Sequence, residues 1–256
     1  MKKRIMAVMA HADDLELYAG GTMAKFTDQG YEGILVMVTA NIDGGKIGNK
    51  SYRQTTPEEV APVRAAETEK GAAILGVRII ENLKLQNLCY SNGKGFVTIG
   101  DPDFNYCRAD TGALLAAAAM NERLLQPLID LYARYEPEIV VMQNMNSGFE
   151  HLCAGHIAHL AFRKAMAQGA SLGQLWLPMA LRPTAWASDL RLYASPNILI
   201  DITRHWDRKV AAILAHQSQQ LESHVEGVRT INRYWGMARE CELAEPFFTL
   251  CEAHYR

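Results

Sequence analysis

No apolar run in this sequence approaches the ~20 residues that a bilayer-crossing helix needs, so no membrane span is expected. Cysteine is sparse. Cys89, Cys107, Cys153, Cys241 and Cys251 include no CxxC pair. An odd number without regular spacing argues against a disulfide framework and for a reducing compartment. Charge of neither sign dominates: 26 Lys and Arg stand against 28 Asp and Glu, a net charge of −2. The basic footprint of a nucleic-acid binder is therefore missing, and so is a charged tail that would govern partner choice. Neither HExxH nor GxSxG occurs, which removes zincin and serine-hydrolase readings. There is no internal repeat and no low-complexity linker. The opening "MKKRIMAVMA" imitates a secretory leader, but its apolar part is short and His11, Asp13 and Asp14 follow at once. It reads as a first strand, and the expected location is cytoplasmic.

What is present is an ordinary globular composition, with 49% hydrophobic and 21% charged residues over 256 positions. That length supports a real core in one large α/β domain or two small ones. Continuous apolar runs suit strands buried on both faces: "RIMAVMA" from Arg4, "EGILVMVTA" from Glu32, "VRIIENL" from Val77 and "PEIVVMQ" from Pro137. Between them lie helical patterns: "LELYAGGTMAKFTDQG", "PEEVAPVRAAETEKGAAILG", and a long stretch over residues 112–135. "GHIAHLAFRKAMAQG", opened by Gly155, is a further helix. The alternation implies a Rossmann-like, mostly parallel sheet with helices on both faces. After residue 172 the pattern changes to short antiparallel or extended segments, "LWLPMALRP" and "LRLYASPNILIDIT". An amphipathic helix over residues 205–221 follows. We read a single domain with a core over 1–172 and a C-terminal cap over 173–256. The segment from Gln86 to Thr111 is long and irregular, as functional loops often are. "GGKIGNKS" (44–51) carries Asn49 where a phosphate loop needs glycine, and reads instead as a glycine-rich substrate-side loop.

Ligands of such sheets bind beyond the carboxyl ends of the strands. His11, Asp13 and Asp14 stand at the carboxyl end of the first strand, and His151, His156 and His159 follow the fourth. Imidazole and carboxylate together suit zinc with one open position. His11 and Asp14 can converge on one ion, leaving Asp13 as a general base. The plainer alternative is that Asp13 caps the next helix while His11 packs beside it.

These residues carry a family resemblance. "AHADDLELYAGGTMAKFTDQGYEGILVMVT" resembles the opening of the LmbE-like, or PIG-L, zinc-dependent deacetylases, whose pattern is AHPDD-E followed by GGT. "VRAAETEKGAAILGV" is similar to the family's R-x-x-E helix, and "EPEIVVMQ" to its rPDvV strand. "DITRHWDRKVAAILAHQSQ" and "GMARECELAEPFFTL" are similar to its DIT…KxxAxxxHxSQ and closing G…AEaF segments. The resemblance spans nearly the whole chain and implies one zinc ion per chain. His11, Asp14 and His156 would be its ligands and Asp13 the general base. His156 corresponds to the last His of the family's HPDH motif if "CAGH" is its counterpart, with His159 as the fallback. Arg64 matches an arginine near the substrate pocket. Ala12 stands where the family has Pro, and Cys153 where it has the His that polarises the carbonyl. His151, or else His216 of "AHQSQ", would take over that role.

The implied activity is removal of an N-acyl group, N-acetyl foremost, from an amino sugar or related small molecule by zinc-activated water. Two further readings stay open. One is a metal-dependent hydratase or lyase acting on a small carboxylic acid at the same site. The other is a non-catalytic sugar-binding relative, against which intact His11, Asp13 and Asp14 argue. The expected partner is a small molecule, with a homo-oligomer as an option.

Overall fold

A computed structural model of the chain describes residues 3–145, 148–179 and 196–251. A seven-stranded sheet forms its centre, in the order β3-β2-β1-β6-β7-β9-β8. The strands are β1 (Arg4–Met9), β2 (Glu32–Thr39), β3 (Val77–Leu85), β6 (Ile139–Met142), β7 (Gln174–Pro178), β8 (Ile198–Asp201) and β9 (Ala244–Cys251). Strands β3, β2, β1, β6 and β7 run parallel, and β9 is antiparallel to both β7 and β8. The α/β class and the mostly parallel sheet are those the sequence implies.

The continuous apolar runs have a direct explanation. Successive side chains of a strand point to opposite faces. Met6, Val8 and Ala10 pack toward α3 (Leu115–Met120), α4 (Gln126–Tyr135) and α5 (Phe149–Ala167). Ile5, Ala7 and Met9 pack toward α1 (Asp14–Asp28), α2 (Pro57–Ile74) and α6 (Trp206–Ile213). With both faces covered, no polar alternation survives in β1. The chain winds from β1 out to β3, then crosses back to β6 on the other side of β1. The crevice between the carboxyl ends of β1 and β6 is thus a topological switch point, the usual ligand position of such sheets.

Three elements differ from the sequence pattern. The helix expected over 112–135 is broken at Asn121, whose backbone is extended (φ −131°, ψ 107°) and whose side chain accepts the N–H of Arg123. This local side-chain bond competes with helix continuation. The helix expected over 205–221 stops at Ile213; His216 leads a tight 3₁₀ turn, Gln217–Gln219, and α7 (Glu222–Arg239) begins after it. In the loop after β3, a small hairpin forms from β4 (Cys89–Ser91) and β5 (Phe96–Thr98). Beyond residue 172 the strands extend the central sheet, and residues 180–195 of the two expected extended segments lie outside the described residues.

Helix α1 is interrupted at Ala19 (φ −143°). The freed N–H groups of Gly21 and Thr22 donate to the Glu245 carboxylate at 2.9 and 2.7 Å. Lys209 Nζ donates to the same group at 2.6 Å, and both charged residues are fully buried. A side chain at Gly21 would stand 2.7 Å from Ile202. The GGT, KxxA and AEaF fragments are therefore three sides of one buried ion pair. It pins β9 and α6 to α1, the helix that carries Asp14. No described helix is long and apolar enough to cross a membrane.

Candidate metal centre

The turn after β1 is fixed by its neighbours. Ala10 N–H donates to Gln143 Oε1 at 2.8 Å, and Ala12 N–H to Asn41 Oδ1 at 2.7 Å. Asp14 folds back so that Oδ2 accepts the N–H of His11 at 2.8 Å. Asp13 occupies the N-cap position of α1, yet its side chain makes no capping hydrogen bond. The capping alternative thus fails, and this carboxylate is left facing the site.

Helix α5 begins at Phe149, six residues before the start the sequence suggested at Gly155, and this places His151 in its first turn. His151 Nε2 lies 3.0 Å from His11 Nδ1. Asp14 stands beside both, with Oδ2 3.4 Å from His11 Nδ1 and Oδ1 3.4 Å from His151 Nε2, and one ligand atom of each residue lies within 4.8 Å of the other two. Bonds of about 2.0–2.1 Å to a tetrahedral ion separate its ligands by about 3.3 Å. Two imidazole nitrogens and a carboxylate gathered this closely suit a divalent metal such as zinc, with a fourth position free.

His156 is not part of this group. It follows His151 by five residues, about 140° further round the helix, and is exposed to solvent. His159 is two turns up the helix and half-buried. His156 was the expected third ligand, but the earlier helix start brings His151 rather than His156 beside His11 and Asp14.

Sequence reasoning missed Glu150 and Gln143, which surround the two histidines. Glu150 Oε2 is 2.6 Å from His11 Nε2, and Gln143 Nε2 is 3.0 Å from His151 Nδ1. Glu150 can accept the second ring N–H of His11, as carboxylates do beside metal-binding histidines, whereas Ala10 N–H holds the Gln143 oxygen so that the amide NH₂ is the group turned to His151. Asp43 was also missed, although its place just beyond β2, on the same sheet edge, was a usable signal.

The two adjacent aspartates sit in opposite environments. Burial pushes the Asp13 carboxyl up, and the guanidinium of Arg64, 3.5 Å away, only partly offsets this. Burial also works against ionised Asp14, but the two histidines beside it hold its pKa down at about 2. Burial opposes charge on His11 as well, yet hydrogen bonds to Asp14 and Glu150 raise it well above its ordinary value. Arg64 is buried between Asp13 and Asp43, donating to the latter. Its guanidinium thus faces two protein carboxylates at the edge of the site. His216 is buried behind Asp13, its Nε2 3.3 Å from Glu16 Oε1, and is outside the His11–Asp14–His151 group.

A Rossmann-like sheet with a His/Asp/His group at its switch point defines a metal-dependent enzyme class. The family model described as PIG-L, GlcNAc-PI de-N-acetylase, matches residues 6–169. The chain belongs to the PIG-L family, and the family reading of the sequence holds. It is 27% identical over 225 residues to a 4-oxalmesaconate hydratase of Pseudomonas putida, covering 86% of this chain and 75% of that protein. It is 27% identical over 244 residues to a 1D-myo-inositol 2-acetamido-2-deoxy-alpha-D-glucopyranoside deacetylase of Mycobacteroides abscessus, covering 85% and 81%. Its fold matches that of the N,N'-diacetylchitobiose deacetylase from Pyrococcus horikoshii with a TM-score of 0.68 at 21% identity, over 97% of this chain and 84% of that one.

Proposed function

We propose that this protein is a zinc-dependent hydrolase that removes an N-acyl group, N-acetyl foremost, from an amino sugar or a related small molecule. His11, Asp14 and His151 would hold the ion. The observation that carries the reading is the His11–Asp14–His151 group with Asp13 next to it: burial pushes the Asp13 carboxyl up, while the two histidines hold Asp14 down. Pairs of titratable groups pushed apart by their surroundings divide into a fixed charge and a proton carrier. The zinc supplies Lewis acidity, making water a nucleophile near neutral pH and drawing electrons from the carbonyl. Asp13 takes the proton of the attacking water and returns it to the departing amine nitrogen. Arg64 keeps Asp13 oriented and ionised between turnovers.

Asp13 and Asp43 flank the buried Arg64, while Glu150 lies beside His11 and Glu16 beside His216. The family match and the deacetylase relatives support an amine-releasing reaction. One observation favours a second reading, hydration of an unsaturated carboxylic acid. A relative from Pseudomonas putida, 27% identical over 225 residues, is a 4-oxalmesaconate hydratase. An assay for primary amine and for loss of double-bond absorbance, on the same zinc-loaded preparation, separates the two. We also read one domain, its core over 1–172 completed by 173–256, acting in the cytoplasm; the shared sheet supports the first part.

A further inference from the structure

Glu150 binds three partners through its two oxygens. Oε2 lies 2.6 Å from His11 Nε2 and 3.4 Å from the Asn87 side-chain amide, while Oε1 accepts the backbone N–H of Leu88. The donors come from different strands: His11 follows β1, and Asn87 and Leu88 follow β3. Asn87 Oδ1 in turn accepts the N–H of Ile42 beyond β2, at 3.2 Å. One carboxylate at the start of α5 thus gathers the loops of three neighbouring strands on the site edge.

Accepting a hydrogen bond from Nε2 has a chemical consequence for His11. A neutral imidazole carries one proton. If the Glu150 carboxylate takes the Nε2–H, the lone pair lies on Nδ1, the nitrogen that faces Asp14 and His151. We propose that Glu150 is the positioning residue of the metal centre: it fixes His11 in the Nε2–H tautomer, and anchors the loop after β3 to the same ligand. This rests on the reading of His11, Asp14 and His151 as the metal site. A carboxylate is required because both oxygens must accept. Glutamine at 150 has one oxygen for two donors and turns an NH₂ group toward the other.

Zinc affinity of the wild type and of Glu150→Gln, measured by competition with a chromophoric chelator, tests the role. Loss of an outer partner of this kind typically weakens binding by about 10–100-fold, and a fall of that size is expected here. Unchanged affinity overturns the proposal. A second measurement needs no variant. Long-range ¹H–¹⁵N spectra of zinc-loaded wild type, with His11 assigned through His11→Ala, should show Nε2 protonated and Nδ1 bound to metal. Ligation through Nε2 overturns the proposal even if Glu150→Gln fails to fold. A wild type that takes up no zinc overturns the metal site itself, an outcome distinct from zinc uptake that is indifferent to residue 150.

Discussion

His11 Nδ1 and His151 Nε2 lie 3.0 Å apart although 140 positions separate them in the chain. Parallel pairing of β1 with β6 brings their carboxyl ends side by side, and the early start of α5 turns His151 into the gap. The His11–Asp14–His151 group follows from this meeting, and it separates His151 sharply from its neighbour His156.

His151→Ala should lose zinc, with affinity falling by at least about 100-fold, because the remaining His and Asp leave an incomplete ligand set. His156→Ala should bind zinc as the wild type does. Metal content after equilibration and desalting checks both. Loss of zinc from the second variant alone would restore His156 as the ligand.

Asp13→Asn and Asp14→Asn should part company. The first keeps zinc and loses turnover by about 10²–10⁴-fold, the usual effect of removing a general base. The second loses metal before anything else. Metal content and amine release on the same preparations decide this, and parallel loss of zinc in both contradicts the division of labour.

Zinc affinity should rise with pH through the neutral range. Burial opposes protonation of His11, but Asp14 and Glu150 outweigh it and keep the proton on the ring well above pH 6.5. A metal must displace that proton, so binding weakens as pH falls below the raised value and levels off above it. Titration calorimetry in buffers of different ionisation heat reads the protons released. Affinity that is flat between about pH 6 and 8 contradicts the assignment.

Lys209→Met should destabilise the fold strongly, by about 3–5 kcal/mol, since it leaves Glu245 charged and buried without its cation. Lys209→Met combined with Glu245→Gln should recover part of the loss, because the uncompensated charge is gone. Chemical denaturation of the three proteins measures it. Additive losses in the double variant would show that the pair is not the linchpin of α1.

How much was legible beforehand depended on the range of the interaction. The buried strands were readable because β1 is apolar on both faces, and the HxDD turn because it sits where β1 ends. The His151 assignment was not, because Phe149 and Glu150 give no strong start signal and Gly155 gives a false one. In the structure Gly155 is needed for packing: a Cβ there would stand 2.4 Å from Met145. Asn121 and His216 were placed inside helices because apolar periodicity continues past them, while side-chain bonding and tertiary packing end the helices sooner. Arg64 was recognisable as a site residue, but its carboxylate partner Asp43 comes from a different strand end. Such pairings are set by the sheet order, which periodicity alone does not specify.

The central claim is metal-dependent release of an amine, and product stoichiometry tests it most directly. Zinc-loaded protein is incubated with a panel of N-acetylated amino sugars, and acetate and primary amine are both quantified. The account expects one acetate per amine from at least one member of the panel, abolished by chelation and by Asp13→Asn. Absence of amine release across the panel, together with zinc-dependent loss of absorbance from an unsaturated carboxylic acid, would contradict it and assign the site to hydration.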